Sequence, residues 1–292
     1  MEAIFSPPVL TAGFACLGGQ LAFSALFMVL PTGPWSRMPG FLGHQCVAFP
    51  LMFYMAYLGS AAFFTPSEAS VARSQTLDGR MHAEDPTGLL LSQIIVGMQL
   101  LWDIPTTVLI KDLYSPLMLV HHVGMAVLAV VCLVSQFGQS YLPFFTGVVE
   151  LSSIPLAIVD IFHPSKFGSY AEASACLGTL NLVCRLLFVL SFLVIRGLMF
   201  PYNALFRATP DLLSLLASGD DGWFAPTLGL VIAAGFTGLQ LHWGSLILKQ
   251  LIKMVSGGQS KATRERRSSL QDMDLEELSG RRSFVEAPAE QL

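Results

Sequence analysis

Charge is scarce in this chain. Of 292 residues only 12% are Asp, Glu, Lys or Arg, about half the share of a soluble domain, while 53% are apolar and the mean hydropathy is +0.61. Such a composition argues against a soluble globule and against a nucleic-acid-binding surface. Cysteine pairing is missing too. The five cysteines (Cys16, Cys46, Cys132, Cys176, Cys184) are odd in number, scattered and without a Cys-x-x-Cys, so they read as free thiols. There is no His-Glu-x-x-His, no Cys/His cluster for zinc and no phosphate-binding glycine loop. Six histidines with a single adjacent pair are too few for the repeated histidine boxes of a membrane di-metal oxygenase. We therefore expect no metal and no cofactor. The start of the chain has no basic n-region, and its first apolar run is too long for a signal peptide, so we expect a retained membrane helix.

What is present is a series of apolar runs near the ~20 residues that cross hydrocarbon. The fold class expected is all-α: a multi-pass transmembrane bundle of about seven spans, within a range of six to eight, around a polar-lined, lipid-accessible cavity. The spans fall near Val9–Leu30, His44–Phe64, Gly88–Ile110, Pro116–Gln136, Tyr141–Phe162, Ala173–Phe200 and Pro226–Val255. Breakers mark the connections: Pro31-Thr32-Gly33-Pro34, the charged stretch Thr65–Thr87, His163-Pro164-Ser165-Lys166, and Asn203–Ala225. In the last of these, Leu212, Leu213, Leu215 and Leu216 are predicted to lie flat at the membrane interface. Gly18-Gly19 inside the first span suggests a close helix contact. From Ser256 on, the chain turns polar and is expected to lack order; Arg264–Leu270 is a candidate basophilic phosphorylation segment within it. Lys249, Lys253 and the Arg-rich tail predict a cytoplasmic C-terminal end; Arg37, Lys111 and Lys166 agree, whereas Arg73, Arg80 and Arg207 fall on the other side.

Ionisable groups at membrane depth are costly and mark function. His121-His122 opens the fourth span, and adjacent helical residues diverge by about 100°, so one imidazole enters the bundle while the other packs sideways. Gln99 and Asp103 share one face of the third span, with Pro105 positioned to kink it. Glu150 and Ser153 share a face of the fifth span, which ends near Asp160; Asn181 and Arg185 share a face of the sixth, and Arg196 returns to nearly the same azimuth. An Arg in hydrocarbon needs a partner, so Arg185 is predicted to face Glu150, Asp103 or Asp160. Histidine at such a site suits a general base or a nucleophile toward a thioester, with Glu150 or Asp103 orienting it. His121 and His122 are the candidate catalytic pair; Asp103, Glu150, Ser153, Asn181 and Arg185 are the candidate cavity residues.

Trp102-Asp103, then Leu119-Val120-His121-His122, then Glu150-Leu151-Ser152-Ser153-Ile154-Pro155-Leu156, then Asn181 with Arg185, then Leu239-Gln240-Leu241-His242-Trp243 resemble the TLC-domain family in order and spacing. That family includes the ceramide synthases, and the glutamate-Ser-Ser-x-Pro segment looks more like its smaller members. Ceramide synthases have His-Asp, a further Asp and Leu-Glu downstream of the histidine pair. This chain has Val148-Val149, Ser152 and Pro155-Leu156 there, so only the histidine pair carries over. The resemblance implies a helical bundle around a lipid-accessible cavity, in the endoplasmic reticulum or, second, the plasma membrane. It divides the chain into a first helix and loop over 1–44, a TLC-like domain over 45–254 and a tail over 255–292. Membrane lipids are the expected partners, no nucleic acid is, and a homodimer stays open. Three functions compete: binding, sensing or redistributing lipids so as to affect membrane composition; N-acyl transfer from acyl-CoA to a long-chain base; and transport. Transport would be favoured by an internal repeat, and none is evident.

Overall fold

The structure, a computed structural model, describes residues 2–219 and 222–283, with helices and no strand among them. In chain order they are α1 (Pro7–Val29), α2 (Pro39–Phe64), α3 (Glu68–Ser74), α4 (Leu77–Met81), α5 (Pro86–Met98), α6 (Ile104–Leu109), α7 (Pro116–Ser135), α8 (Ser153–Ile161), α9 (Gly168–Ala173), α10 (Ala175–Ser191), α11 (Phe200–Asn203), α12 (Thr209–Ser218) and α13 (Phe224–Ser283). Proline at the first turn starts α1, α2, α5 and α7, where its missing N–H costs nothing and its fixed φ suits a helix. Asp85 caps α5 by accepting from the Gly88 N–H at 2.8 Å.

Among the described residues six helical runs are long and apolar enough to cross a membrane: Pro7–Val29, Pro39–Phe64, Leu77–Leu109, Pro116–Ser135, Ala175–Ser218 and Phe224–Lys253. The count rises to seven if the bent pair Pro143–Leu151 and Ser153–Ile161, which meet at 44°, is one broken span. The protein is therefore an all-α, multi-pass membrane protein. The residues up to Leu241 form one compact unit, and residues 242–283 are the remainder of α13.

Helices in lipid gain little from hydrophobic burial against one another and associate through close packing. Two glycine pairs are among the closest approaches. A Cβ on Gly97 of α5 would lie 2.1 Å from the Val9 carbonyl oxygen of α1, and one on Gly13 would lie 2.6 Å from the Gly97 oxygen. A Cβ on Gly59 of α2 would lie 2.4 Å from Gly147 Cα and from the Pro143 oxygen. The Gly18-Gly19 pair is less central than its sequence suggests. Gly19 faces Val47, and Gly18 has nothing near it.

Two connections differ from expectation. Residues Phe200–Ser218 continue the sixth span as helix instead of forming an interfacial loop, and Leu212 and Leu215 are buried against Met81 and Phe137. Leu213 and Leu216 stay exposed, so the leucines divide by face, as a packed amphipathic helix requires. The polar segment from Ser256, expected to lack order, carries α13 on to Ser283. Its Lys, Arg, Glu, Gln and Leu are good helix formers. Residues 284–292 of the expected tail lie outside the described residues.

Candidate functional site

Four segments wind as π-helix: Gln99–Asp103, Pro143–Gly147, Phe192–Met199 and Ala204–Ala208. Each accommodates an extra residue and rotates the helix beyond it, a feature common at functional sites. The first lies just before Pro105, whose ring cannot sit in a regular α-helix and whose missing N–H breaks the ladder. The kink expected at Pro105 is resolved as this π turn. It turns Gln99, Trp102 and Asp103 inward together, and all three are buried.

Asp103 is the hub of the site. His122 Nδ1 lies 2.9 Å from one carboxylate oxygen and His44 Nε2 lies 3.1 Å from the other. Gln99 Nε2 is 3.3 Å from the same His122 nitrogen. The nearer carboxylate claims the proton, so we assign Nδ1 as the donor to Asp103, with the Gln99 amide turned oxygen-first toward the ring. That leaves His122 Nε2 as the lone-pair nitrogen, the arrangement by which a carboxylate fixes a catalytic imidazole. His44 stacks on Trp102 with ring centres 4.6 Å apart, and Trp102 Nε1 donates to Gln20 Oε1 at 3.1 Å. Gln20 in turn donates to the Gly40 carbonyl and to Ser24, both at 2.9 Å. The His44 imidazole is thus held by a chain of contacts across α1, α2 and the π segment Gln99–Asp103.

The two histidines diverge as their spacing requires. His121 turns away from Asp103, with its ring 5.6 Å from that of His122 and 5.1 Å from that of Phe236 on α13. On α7, Met125, Leu128 and Cys132 follow His121 on one face and line an apolar crevice with Phe145, Phe200 and Phe236. His121 stands at the polar end of a stripe that runs ~17 Å along the helix to Cys132. The crevice is therefore apolar-lined, not polar-lined as expected; the polar centre does not line it, and His121 touches it only through the ring of Phe236. At its other end lie Met81, Tyr141 and Leu212. There Arg80 forms a two-pronged ion pair with Asp211, at 2.6 and 2.7 Å, and the Tyr141 hydroxyl also donates to Asp211.

Of the acids and bases singled out in the sequence, Asp103 joins the histidines, and half-buried Glu150 makes no hydrogen bond or ion pair among the described residues. Ser153 is buried and bonded to an arginine, but that arginine is Arg196, not Arg185. Arg196 Nε donates to Ser152 Oγ at 2.7 Å, and Nη2 donates to Ser153 Oγ at 2.8 Å and to the Val149 carbonyl at 3.3 Å. Arg185 is exposed and donates only to Asn181, at 3.1 Å, so this pair does not reach the site. In a regular helix the two arginines would lie only ~20° apart in azimuth. The π segment Phe192–Met199 between them supplies the rotation that separates them. Asp160, the third partner considered for Arg185, is held by Lys166 Nζ with both oxygens at 2.8 Å and by Gln45 at 3.2 Å.

His44 is not among the residues that the sequence pattern singles out. Its signal is depth: His44 and His121 each lie five residues past the start of their helices, Pro39 and Pro116. These two spans run in the same direction through an up-and-down bundle, so both imidazoles fall near one membrane face.

A family model for the TLC domain matches residues 15–249. The chain belongs to the TLC-domain family. The match takes in most of α1, which the motif spacing alone sets apart from the TLC domain, and every residue of the polar centre falls within it. No curated protein and no solved structure matches the chain.

Proposed function

We propose that this TLC-domain protein binds a membrane lipid, its acyl chain in the apolar crevice and its polar end at His121, His122 and Arg196, and thereby acts on membrane lipid composition. The observation that carries this reading is the stripe on α7, where apolar Met125, Leu128 and Cys132 lead to His121 beside the Asp103-bonded His122. A long apolar slot with a few convergent polar groups at one end is the general form of a small-molecule site. The test is lipid analysis of the protein purified in detergent. Wild type should retain one lipid class above its abundance in the membrane, and Leu128→Trp, which fills the slot, should lose it. Retention of no lipid above the detergent background would sink the reading.

A second reading, N-acyl transfer from acyl-CoA to a long-chain amine, is favoured by the 2.9 Å contact between His122 and Asp103. With Nδ1 committed to the carboxylate, Nε2 is free to take a proton from an attacking amine. Membranes carrying wild type or His122→Ala, supplied with labelled acyl-CoA and a long-chain base, decide it. New amide product lost in the variant supports transfer, and none above empty-vector membranes removes it. Family membership and the basic residues Lys249 and Lys253 support an endoplasmic-reticulum membrane and a cytoplasmic C-terminal end. A C-terminal epitope reached by antibody when only the plasma membrane is permeabilised checks that orientation.

A further inference from the structure

Two opposite charges in the polar centre lack a partner in contact. Arg196 is 9% exposed, and its three hydrogen bonds go to neutral groups: the hydroxyls of Ser152 and Ser153 and the Val149 carbonyl. Those bonds use Nε and Nη2, and both N–H groups of Nη1 remain unspent. Glu150 follows Val149 directly in the chain, so its backbone starts one residue from the guanidinium. It is half-buried and makes no hydrogen bond or ion pair among the described residues. Asp103 differs, since two imidazoles already occupy its oxygens.

Uncompensated charge at membrane depth persists where a ligand or water-filled space receives it. A purely anionic ligand would satisfy Arg196 but meet Glu150 and Asp103. A purely cationic one would satisfy Glu150 but meet Arg196. A group with both signs answers both. An arginine fork with free N–H groups suits phosphate oxygens, and an isolated carboxylate suits an amine. We infer that the polar centre takes a zwitterionic phospholipid headgroup, its phosphate on Arg196 and its amine at Glu150, with an acyl chain in the crevice. This rests on the lipid-binding reading above and narrows it to a headgroup class.

The experiment compares binding of three dioleoyl lipids to the detergent-purified full chain: one with a phosphoethanolamine head, one with a phosphoglycerol head and one with a trimethylammonium head. Wild type should bind the zwitterionic lipid about tenfold more tightly than either other. Glu150→Gln should move the preference toward the anionic lipid, and Arg196→Gln toward the cationic one. These opposite shifts cannot come from general damage. Should Arg196→Gln fail to accumulate, Ser153→Ala, which loosens one bond to the guanidinium, takes its place and should weaken the anionic and zwitterionic lipids but not the cationic one. Equal binding of all three lipids by wild type, or unchanged selectivity in Glu150→Gln, would overturn the headgroup assignment while leaving lipid binding intact. If none of the three binds, the lipid-binding reading itself fails. Water-soluble phosphoethanolamine binding as tightly as the lipid would also overturn the inference, because the site would then serve a free headgroup compound.

Discussion

At the residue scale the decisive fact is that one carboxylate serves two imidazoles. Asp103→Asn keeps the shape and one acceptor oxygen but cannot take two N–H donors. One imidazole is left without its partner, at a cost of about 1–3 kcal/mol. We expect Asp103→Asn to lower thermal stability in detergent and to reproduce the lipid phenotype of His122→Ala; a wild-type lipid profile in Asp103→Asn cells would remove Asp103 from the site. The two arginines make a second residue-scale contrast. Arg185→Leu takes an exposed charge out of an apolar span, so accumulation and melting temperature should hold or rise. Arg196→Ala loses three bonds from a charged donor and leaves a void beside the serines, so it should cost about 2–4 kcal/mol. Equal effects in the same melting assay would contradict the assignment of Arg196 as the buried partner.

At the element scale, packing depends on a few glycine contacts between helices. Gly59→Val drives a branched side chain into the Pro143–Gly147 backbone, where nothing flexible can yield. Overpacking of this kind costs about 1–3 kcal/mol or more, and the broken span that carries Glu150 would shift with it. Gly18→Val, facing open space, is the matched control and should melt with wild type. Register is the second element-scale lesson. Helical spacing placed Gln99, Asp103 and the divergent histidines correctly, because Pro105 advertises the break beside the first two and α7 is regular. It failed for Arg185 and Arg196 because the period was carried straight across the π segment Phe192–Met199, although Gly197 lies inside it and Pro201 stands two residues past its end, as Pro105 does past Asp103. An extra residue is invisible to a period of 3.6 unless the proline beyond it is read as its mark.

At the scale of the whole molecule, apolar run length was enough to show a multi-pass helical bundle, and motif order was enough to show the family. Span ends were less legible. The stretch Asn203–Ala225 reads as a connection in the sequence, yet α12 is held by tertiary contacts that no local pattern reports: Leu212 and Leu215 on Met81 and Phe137, and Asp211 on Arg80 and Tyr141. Arg80→Leu should therefore release α12 and the end of the crevice remote from His121. The expected signs are faster proteolysis near residues 203–219 and a lower melting temperature, with lipid retention reduced; an unchanged cleavage pattern would show that α12 does not depend on this pair. The π segments carry a consequence for comparison among relatives. A chain that had lost the extra residue before Met199 would carry its inward cation one place away in any alignment, with the same side chain in the same space. Column-by-column conservation would then score that arginine as absent, so relatives of this protein are better compared by what reaches the two serines than by position in the string.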